Sequence, residues 1–220
     1  MSTPVPPDRA ALDNDVALWS GDPTGRPLLV LLHGYGSDER DLFGLVPHLP
    51  DDFTFAAPRA PLAPPWPAPG FSWYPMEGLA GRGPRGATIA AEALIAWLDE
   101  HAAGASSIGL LGFSQGGALA LQALRLQPER FAFAVNLSGY ATPGELPGDE
   151  VLAARRPPVF WGRGTHDEVI PEALVTATTQ WLPGHSTLTG AVYPGLTHSV
   201  SEPELEDVRA FLRARKAASA

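Results

Sequence analysis

Gly112-Phe113-Ser114-Gln115-Gly116 places a serine between two glycines, where an apolar run ends and an amphipathic stretch begins. At a strand-to-helix junction a Gly-x-Ser-x-Gly serine sits on a sharp, strained turn that pushes its hydroxyl out of the sheet, and the glycines keep strand and helix from clashing. A serine hydroxyl is a weak nucleophile at neutral pH. It needs a base to take its proton and an acid to orient that base, in the chain order serine, acid, histidine. Three histidines follow it: His166, His185 and His198. His198, in Gly-Leu-Thr-His-Ser-Val, comes directly after the last apolar run and before the final helical stretch, at a strand's carboxyl edge where open sheets place their sites. His185 follows a Pro-Gly pair and reads as the start of a strand at the opposite edge, while His166 adjoins the best acid candidate. That candidate is Asp167, on the loop between Pro158–Gly162 and a helix opened by Pro171, with Asp149 on the preceding connection as its competitor. A lone aspartate in such a loop ordinarily caps a helix or closes an Asx-turn. Three strand-end positions in the required order favour Ser114, His198 and Asp167 as nucleophile, base and acid.

Acyl transfer also needs N–H groups aimed at the oxygen that gains charge. Two are on offer: the backbone N–H of Gln115, at a helix N-terminus directly after the serine, and that of Tyr35 in His33-Gly34-Tyr35-Gly36, where glycines allow close backbone approach. His33 and Gly34 shape that turn. A second candidate region is the Pro- and Gly-rich stretch 58–86, which lacks periodicity and reads as an irregular loop. Trp66, Phe71, Trp73, Tyr74 and Met76 within it argue against disorder and are candidates for a substrate-binding wall, with a proline-stiffened loop packed on the body as the equal alternative.

The elements that must hold these residues alternate. Apolar runs at 28–32, 53–57, 107–113, 131–137, 158–162 and 188–194 read as buried strands; stretches around 40–48, 88–103, 115–126, 171–182 and 202–218 read as helices. This alternation predicts an α/β fold with a mostly parallel sheet covered on both faces. Ser201 and Glu204 make a capping box for the last helix. The stretch from Tyr140 to Pro157 offers one short apolar piece, Val151–Ala154, too little for a helical cap of several turns, so the edge beside it reads as open.

Composition narrows the partners. The 220 residues carry 24 acidic and 15 basic side chains, a net charge of −9, and no cysteine. The acidic balance repels phosphate backbones, so no nucleic acid is expected. Without cysteine there is no disulfide framework, zinc ribbon, iron–sulfur site or thiol nucleophile. The opening residues lack a basic stretch followed by an apolar one, and no run is long enough to span a membrane, which predicts a soluble, cytoplasmic protein. The chain reads as a single domain over 1–220, with 1–14 a flexible N-terminal segment; a homodimer is left open.

The segments LLHGYGSDERDLFGLVPHLP, APRAPL, SWYPM, GFSQGG, GTHDEVIP and GLTHSV together resemble the α/β-hydrolase superfamily, and within it the small carboxylesterase and lysophospholipase family that includes acyl-protein thioesterases. The resemblance implies an α/β-hydrolase fold without a large cap. It also implies Ser114, Asp167 and His198 as triad, main-chain oxyanion donors at Tyr35 and Gln115, and the aromatic loop beside the acyl site. Tyr35 departs from the many relatives with an aliphatic residue there, a change a backbone donor survives but one that bears on acyl-chain length. The expected activity is hydrolysis of small-molecule carboxylic esters with small to medium acyl groups, extending to thioesters or lysophospholipids, through an acyl-enzyme. No metal and no organic cofactor is needed. A peptidase of the same fold lacks the spare chain for a selecting cap, and a non-catalytic ligand-binding module has no need of a complete triad.

Overall fold

The run Leu28–Leu32 shows why the sheet is covered on both faces. In the computed structural model, which describes residues 11–65, 67–76 and 82–216, it forms β2 (Pro27–Leu32) at the centre of the sheet. Leu28, Val30 and Leu32 enter one apolar cluster while Leu29 and Leu31 enter another on the opposite face. Successive strand residues point to opposite faces, so a strand buried on both needs an unbroken apolar run. Each of these side chains contributes roughly 1.5–3 kcal/mol by leaving water.

The remaining strands are β1 (Leu18–Trp19), β3 (Thr54–Ala57), β4 (Ser107–Phe113), β5 (Phe131–Leu137), β6 (Pro158–Gly164), β7 (Thr187–Thr189) and β8 (Val192–Tyr193). They run in the order β1-β3-β2-β4-β5-β6-β7, with β8 also paired to β6; only β1 is antiparallel to its neighbour. Helices α2 (Pro84–His101), α3 (Gln115–Leu126), α4 (Gly148–Arg155) and α5 (Glu172–His185) supply one apolar layer, and α1 (Arg40–Phe43) and α6 (Glu202–Lys216) the other. The fold is α/β with a mostly parallel sheet covered on both faces, as the alternation of elements predicted.

Four local expectations need correction. The stretch 58–86 is not wholly irregular, because α2 already starts at Pro84, the first-turn position where a missing N–H costs nothing. The single strand expected over 188–194 is two, β7 and β8. Gly190, at φ 147°, separates them, and a Cβ there would meet the Trp161 carbonyl oxygen at 2.0 Å. His185 does not begin a strand; it closes α5, stacked on Trp181 with centroids 4.2 Å apart and Nδ1 donating to the Trp181 carbonyl at 2.7 Å. That i,i+4 pair, with the Ser186 hydroxyl donating to Leu182 O at 2.7 Å, carries the helix past Pro183. Around 40–48 there is one turn of α1 and then a 3₁₀ turn at Val46–His48.

Residues 1–10 lie outside the described residues. From Leu12, which packs on the first apolar cluster, the chain is joined to the body, and Asn14 accepts a bond from the Trp19 indole at 3.3 Å. Between β5 and β6 the chain forms α4. Its Asp149, the competing acid candidate, is bound in both oxygens by Arg125 at 2.8 and 2.7 Å, which commits the carboxylate to that guanidinium.

The predicted capping box forms by half. Ser201 Oγ accepts the Glu204 N–H at 3.3 Å, but the Glu204 carboxyl, instead of reaching back, lies fully buried against Gly162 of β6 with neither oxygen hydrogen-bonded among the described residues. Burial pushes its pKa up to about 7, opposed by the Ser201 contact and reinforced by the charge of Asp207, which itself accepts from the Tyr193 hydroxyl at 2.8 Å. Because the folded-state value is raised above the ordinary 4.5, stability from this group is full below about pH 4.5 and is lost as the pH rises to about 7. At about 1.4 kcal/mol per unit, the loss is on the order of 3 kcal/mol. Glu204→Gln is therefore expected to melt roughly 6–12 °C higher than wild type at pH 8 and at about the same temperature at pH 4.5. Thermal unfolding at the two pH values checks this, and an equal difference at both would reject it.

Candidate active site

Ser114 occupies the junction of β4 and α3 at φ 55°, ψ −114°, a left-handed-side conformation that only a tightly constrained non-glycine residue adopts. Two glycines make the turn passable. A Cβ at Gly112 would meet the Gly116 carbonyl oxygen at 2.1 Å, and one at Gly116 would meet the Leu32 carbonyl oxygen at 1.9 Å. The Ser114 N–H is held by Leu137 O of β5 at 2.8 Å, so the turn is fixed to the strand beside it.

The hydroxyl lies 2.8 Å from His198 Nε2, and His198 Nδ1 lies 2.8 Å from Asp167 Oδ2. A carboxylate can only accept, so Nδ1 carries the proton and Nε2 presents its lone pair to the serine. The second oxygen of Asp167 accepts the N–H groups of Val169 at 3.0 Å and Ile170 at 3.2 Å, which fixes the carboxylate independently of the histidine. Phe113 packs against the imidazole with centroids 4.9 Å apart. The three side chains come from the carboxyl ends of β4 and β6 and the loop after β8, and all are shielded: the serine is 6% exposed and the Asp167 side chain 6%. His166 is exposed, and its backbone N–H, bonded to Leu196 O at 2.9 Å, ties the acid loop to the His198 loop.

The loop after β2 approaches the same turn. Gly36 N–H donates to Phe71 O and Ser37 N–H to Gly34 O, at 2.9 and 3.2 Å, neither involving the N–H of Tyr35. Gln115 is the first residue of α3, whose N–H by position has no acceptor within the helix. His33 is 1% exposed: its Nε2 accepts the Ala60 N–H at 3.1 Å, so its Nδ1 donates to Gly34 O at 2.8 Å. Burial holds the His33 pKa below the ordinary histidine value, although the Gly34 carbonyl and nearby carboxylates pull the other way.

Of the two readings of the aromatic loop, a substrate wall or a loop packed on the body, Trp73 and Tyr74 follow the second. Trp73 and Tyr74 are 3% and 1% exposed and belong to the apolar core; the Trp73 indole donates to His33 O at 2.8 Å and its ring lies against the imidazole. Tyr74 meets the Tyr140 hydroxyl at 3.2 Å. Both rings thus brace the site from behind, because their polar atoms find buried partners there. Phe71 and Met76 are half-buried, the Arg59 guanidinium capping the Phe71 ring; Trp66 lies outside the described residues. The bracing residue that the sequence did not disclose is Gln115. Its side chain accepts from Trp73 N–H at 3.0 Å and donates to Tyr74 O at 2.7 Å, tying this loop to the serine turn. A glutamine following a serine carries no signal that its amide will pair with backbone more than forty residues away.

Arranged in this way, the serine can lose its proton to His198 while its oxygen attacks a carbonyl, and the imidazolium formed lies against a carboxylate. Comparison with known proteins places the arrangement in a family. The chain belongs to the phospholipase/carboxylesterase family, whose sequence model it matches over residues 14–216. It is 28% identical over 152 residues to a protein named probable carboxylesterase from Oryza sativa subsp. japonica, an alignment covering 64% of this chain and 57% of that one. It is 33% identical over 118 residues to acyl-protein thioesterase 1 of Debaryomyces hansenii, covering 52% and 51%. The chain thus spans little more than half the length of these curated relatives. Among solved structures, esterase PE8 superimposes with a TM-score of 0.76 at 28% identity over 93% of this chain and 99% of that one.

The two bonds of His33 yield a test at acid pH. With its folded-state pKa lowered, His33 takes up a proton more readily in the unfolded chain, so stability from this group is present above the ordinary value of 6.5 and declines as the pH falls below it. His33→Gln keeps an acceptor for Ala60 and cannot be protonated. It is expected to cost about 1 kcal/mol at pH 8 through the lost Gly34 bond and to lose less stability than wild type between pH 8 and pH 5.5. Denaturant unfolding at both pH values measures this, and parallel losses would remove His33 from the acid response.

Proposed function

We propose that the protein is a serine hydrolase of carboxylic esters that works through an acyl-enzyme, as one α/β-hydrolase unit. The observation that carries this reading is the unbroken relay from Ser114 Oγ through His198 to Asp167, 2.8 Å at each step, on a turn whose strain serves no other evident purpose. Family membership and the esterase and thioesterase names of the relatives support the same class of reaction.

In this reading Ser114 attacks the ester carbonyl as His198 Nε2 takes its proton; the tetrahedral oxyanion is held by the N–H groups of Tyr35 and Gln115; and His198 then protonates the departing alcohol. Water repeats the cycle on the acyl-enzyme. Asp167 keeps the imidazole in the reactive tautomer and stabilises its cation. A thioester meets the same requirements, since only the leaving atom changes. The acyl groups accepted are small to medium. The one helix between β5 and β6, α4, packs on α3 and α5 and adds no cap of several turns above the serine.

Ser114→Ala is expected to lower kcat by roughly four to six orders of magnitude with the fold intact. A fluorophosphonate probe is expected to label wild type at Ser114, located by peptide mapping, and to leave the variant unlabelled. Retention of activity within tenfold, or an adduct on another residue, would transfer the chemistry elsewhere. With aryl esters of increasing acyl length, kcat/KM is expected to peak at short to medium chains, and a sharp maximum at very long ones would contradict the open site.

A further inference from the structure

A groove of about 620 Å³ opens on one side of the relay, at the carboxyl ends of β5 and β6 and along the first turns of α5. Neither Ser114 nor His198 lines it; Asp167 joins it to the relay. Its inner wall begins at Ser138, the residue after Leu137, whose carbonyl holds the nucleophile turn, and Ser138 is itself fixed by donating its N–H to Gly162 O at 2.8 Å. The volume falls within the range of about 300–1,000 Å³ usual for small-molecule sites.

Position within the sheet assigns the groove a side. The Tyr35 loop follows β2, the serine follows β4 and the acid follows β6, so the oxyanion donors and the groove flank the nucleophile from opposite directions. The departing oxygen receives its proton from His198, and it leaves towards the histidine and its acid. Hence the groove lies on the leaving-group side.

Its lining specifies what that group is. Among the described residues, the Ser138 hydroxyl and the Nε of Arg163 are buried with no hydrogen-bond partner, so the wall behind the groove holds polar groups in excess; native proteins rarely leave such donors unmet. The Arg163 guanidinium rests over the Trp161 ring, 5.6 Å from its centroid. Glu168, Glu172 and Thr176, on α5 and the loop before it, line the same groove. An alkyl chain would strip water from these polar side chains and return no hydrogen bond, and a simple anion on Arg163 would face two carboxylates. Hydroxyl groups both donate and accept, so a neutral group bearing several of them satisfies both walls at once.

Resting on the reading of Ser114 as nucleophile, we propose that this groove binds the leaving alcohol of the substrate and that this alcohol is a polyol, a sugar or glycerol carrying several hydroxyls. The test compares kcat/KM for 6-O-butyrylglucose, monobutyrin and ethyl butyrate, which share one acyl group. Wild type is expected to favour at least one polyol ester over ethyl butyrate by tenfold or more, and the preferred ester tells sugar from glycerol. Arg163→Met is expected to bring that ratio close to one. Glu172→Gln, at an exposed helix position that folding tolerates, is expected to lower it about threefold; a purely structural effect would lower all three esters together and leave the ratio unchanged. Equal rates on all three esters in wild type, an unchanged ratio in both variants, or a butyryl ester with a phosphocholine head preferred over both polyol esters would each overturn the proposal. Failure to hydrolyse any ester would fall on the reading of Ser114 instead. Saturation-transfer NMR with methyl glucoside and glycerol then probes the groove alone: contacts that vanish in Arg163→Met support it, and absence of contact in wild type overturns it.

Discussion

The backbone of Ser114 cannot relax. Its φ of 55° places a non-glycine residue where L side chains are strained, and three separate constraints hold it there: the N–H bond to Leu137, the start of α3, and the contact of Gly112 with Gly116. A strained residue costs of order 1–3 kcal/mol and persists only where its surroundings over-determine it. The surroundings here are the central strands, buried on both faces, so apolar burial sits next to the turn it must hold. The result is a hydroxyl whose position is set by the sheet and not by its own rotamer alone.

The loop after β2, which carries the proposed oxyanion donor, is fixed by a different means. Strands stop at Leu32, and beyond it the chain depends on side chains that imitate backbone pairing. His33 joins Ala60 to Gly34, Trp73 donates to the His33 carbonyl, and Gln115 bonds both to the N–H of Trp73 and to the carbonyl of Tyr74. Each of these groups is buried, so an unmet partner would carry a desolvation cost of about 1–3 kcal/mol, and the network favours a single arrangement of three loops. Gln115 therefore acts twice in the proposed chemistry, its N–H facing the substrate and its amide holding the wall behind it.

This division explains what could be read in the amino-acid sequence and what could not. Unbroken apolar runs disclosed the central strands, and the positions of Ser114, Asp167 and His198 at strand ends disclosed the relay, because each property is local: a run, a spacing, an order along the chain. The split of β7 from β8 was hidden because it depends on Gly190 passing against Trp161, a contact between distant segments. The helical end of α5 was hidden by Pro183-Gly184, which ordinarily marks a turn but is overcome here by stacking of Trp181 on His185. Trp73 and Tyr74 read equally as a substrate wall or as part of a loop packed on the body, since large aromatics in a Pro-rich loop need somewhere to be buried; that the place is the core, against His33 and Tyr140, follows only from the tertiary arrangement.

Two carboxyls on either side of β6 illustrate how placement decides chemical role. Asp167 is met by three N–H donors, from Val169, Ile170 and His198, so its charge is solvated by the protein in place of water. Glu204, three residues into the helix that follows the His198 loop, has none and lies against the bare Cα of Gly162. The same functional group is thus supplied with partners beside the His198 imidazole and denied them beneath the sheet, where burial raises its pKa to about 7. Both sit against the strand that leads to the proposed acid loop. A side chain at residue 162 would displace Glu204 and, through β6, disturb Asp167, which ties the smallest residue of the strand to the electrostatics of the site above it.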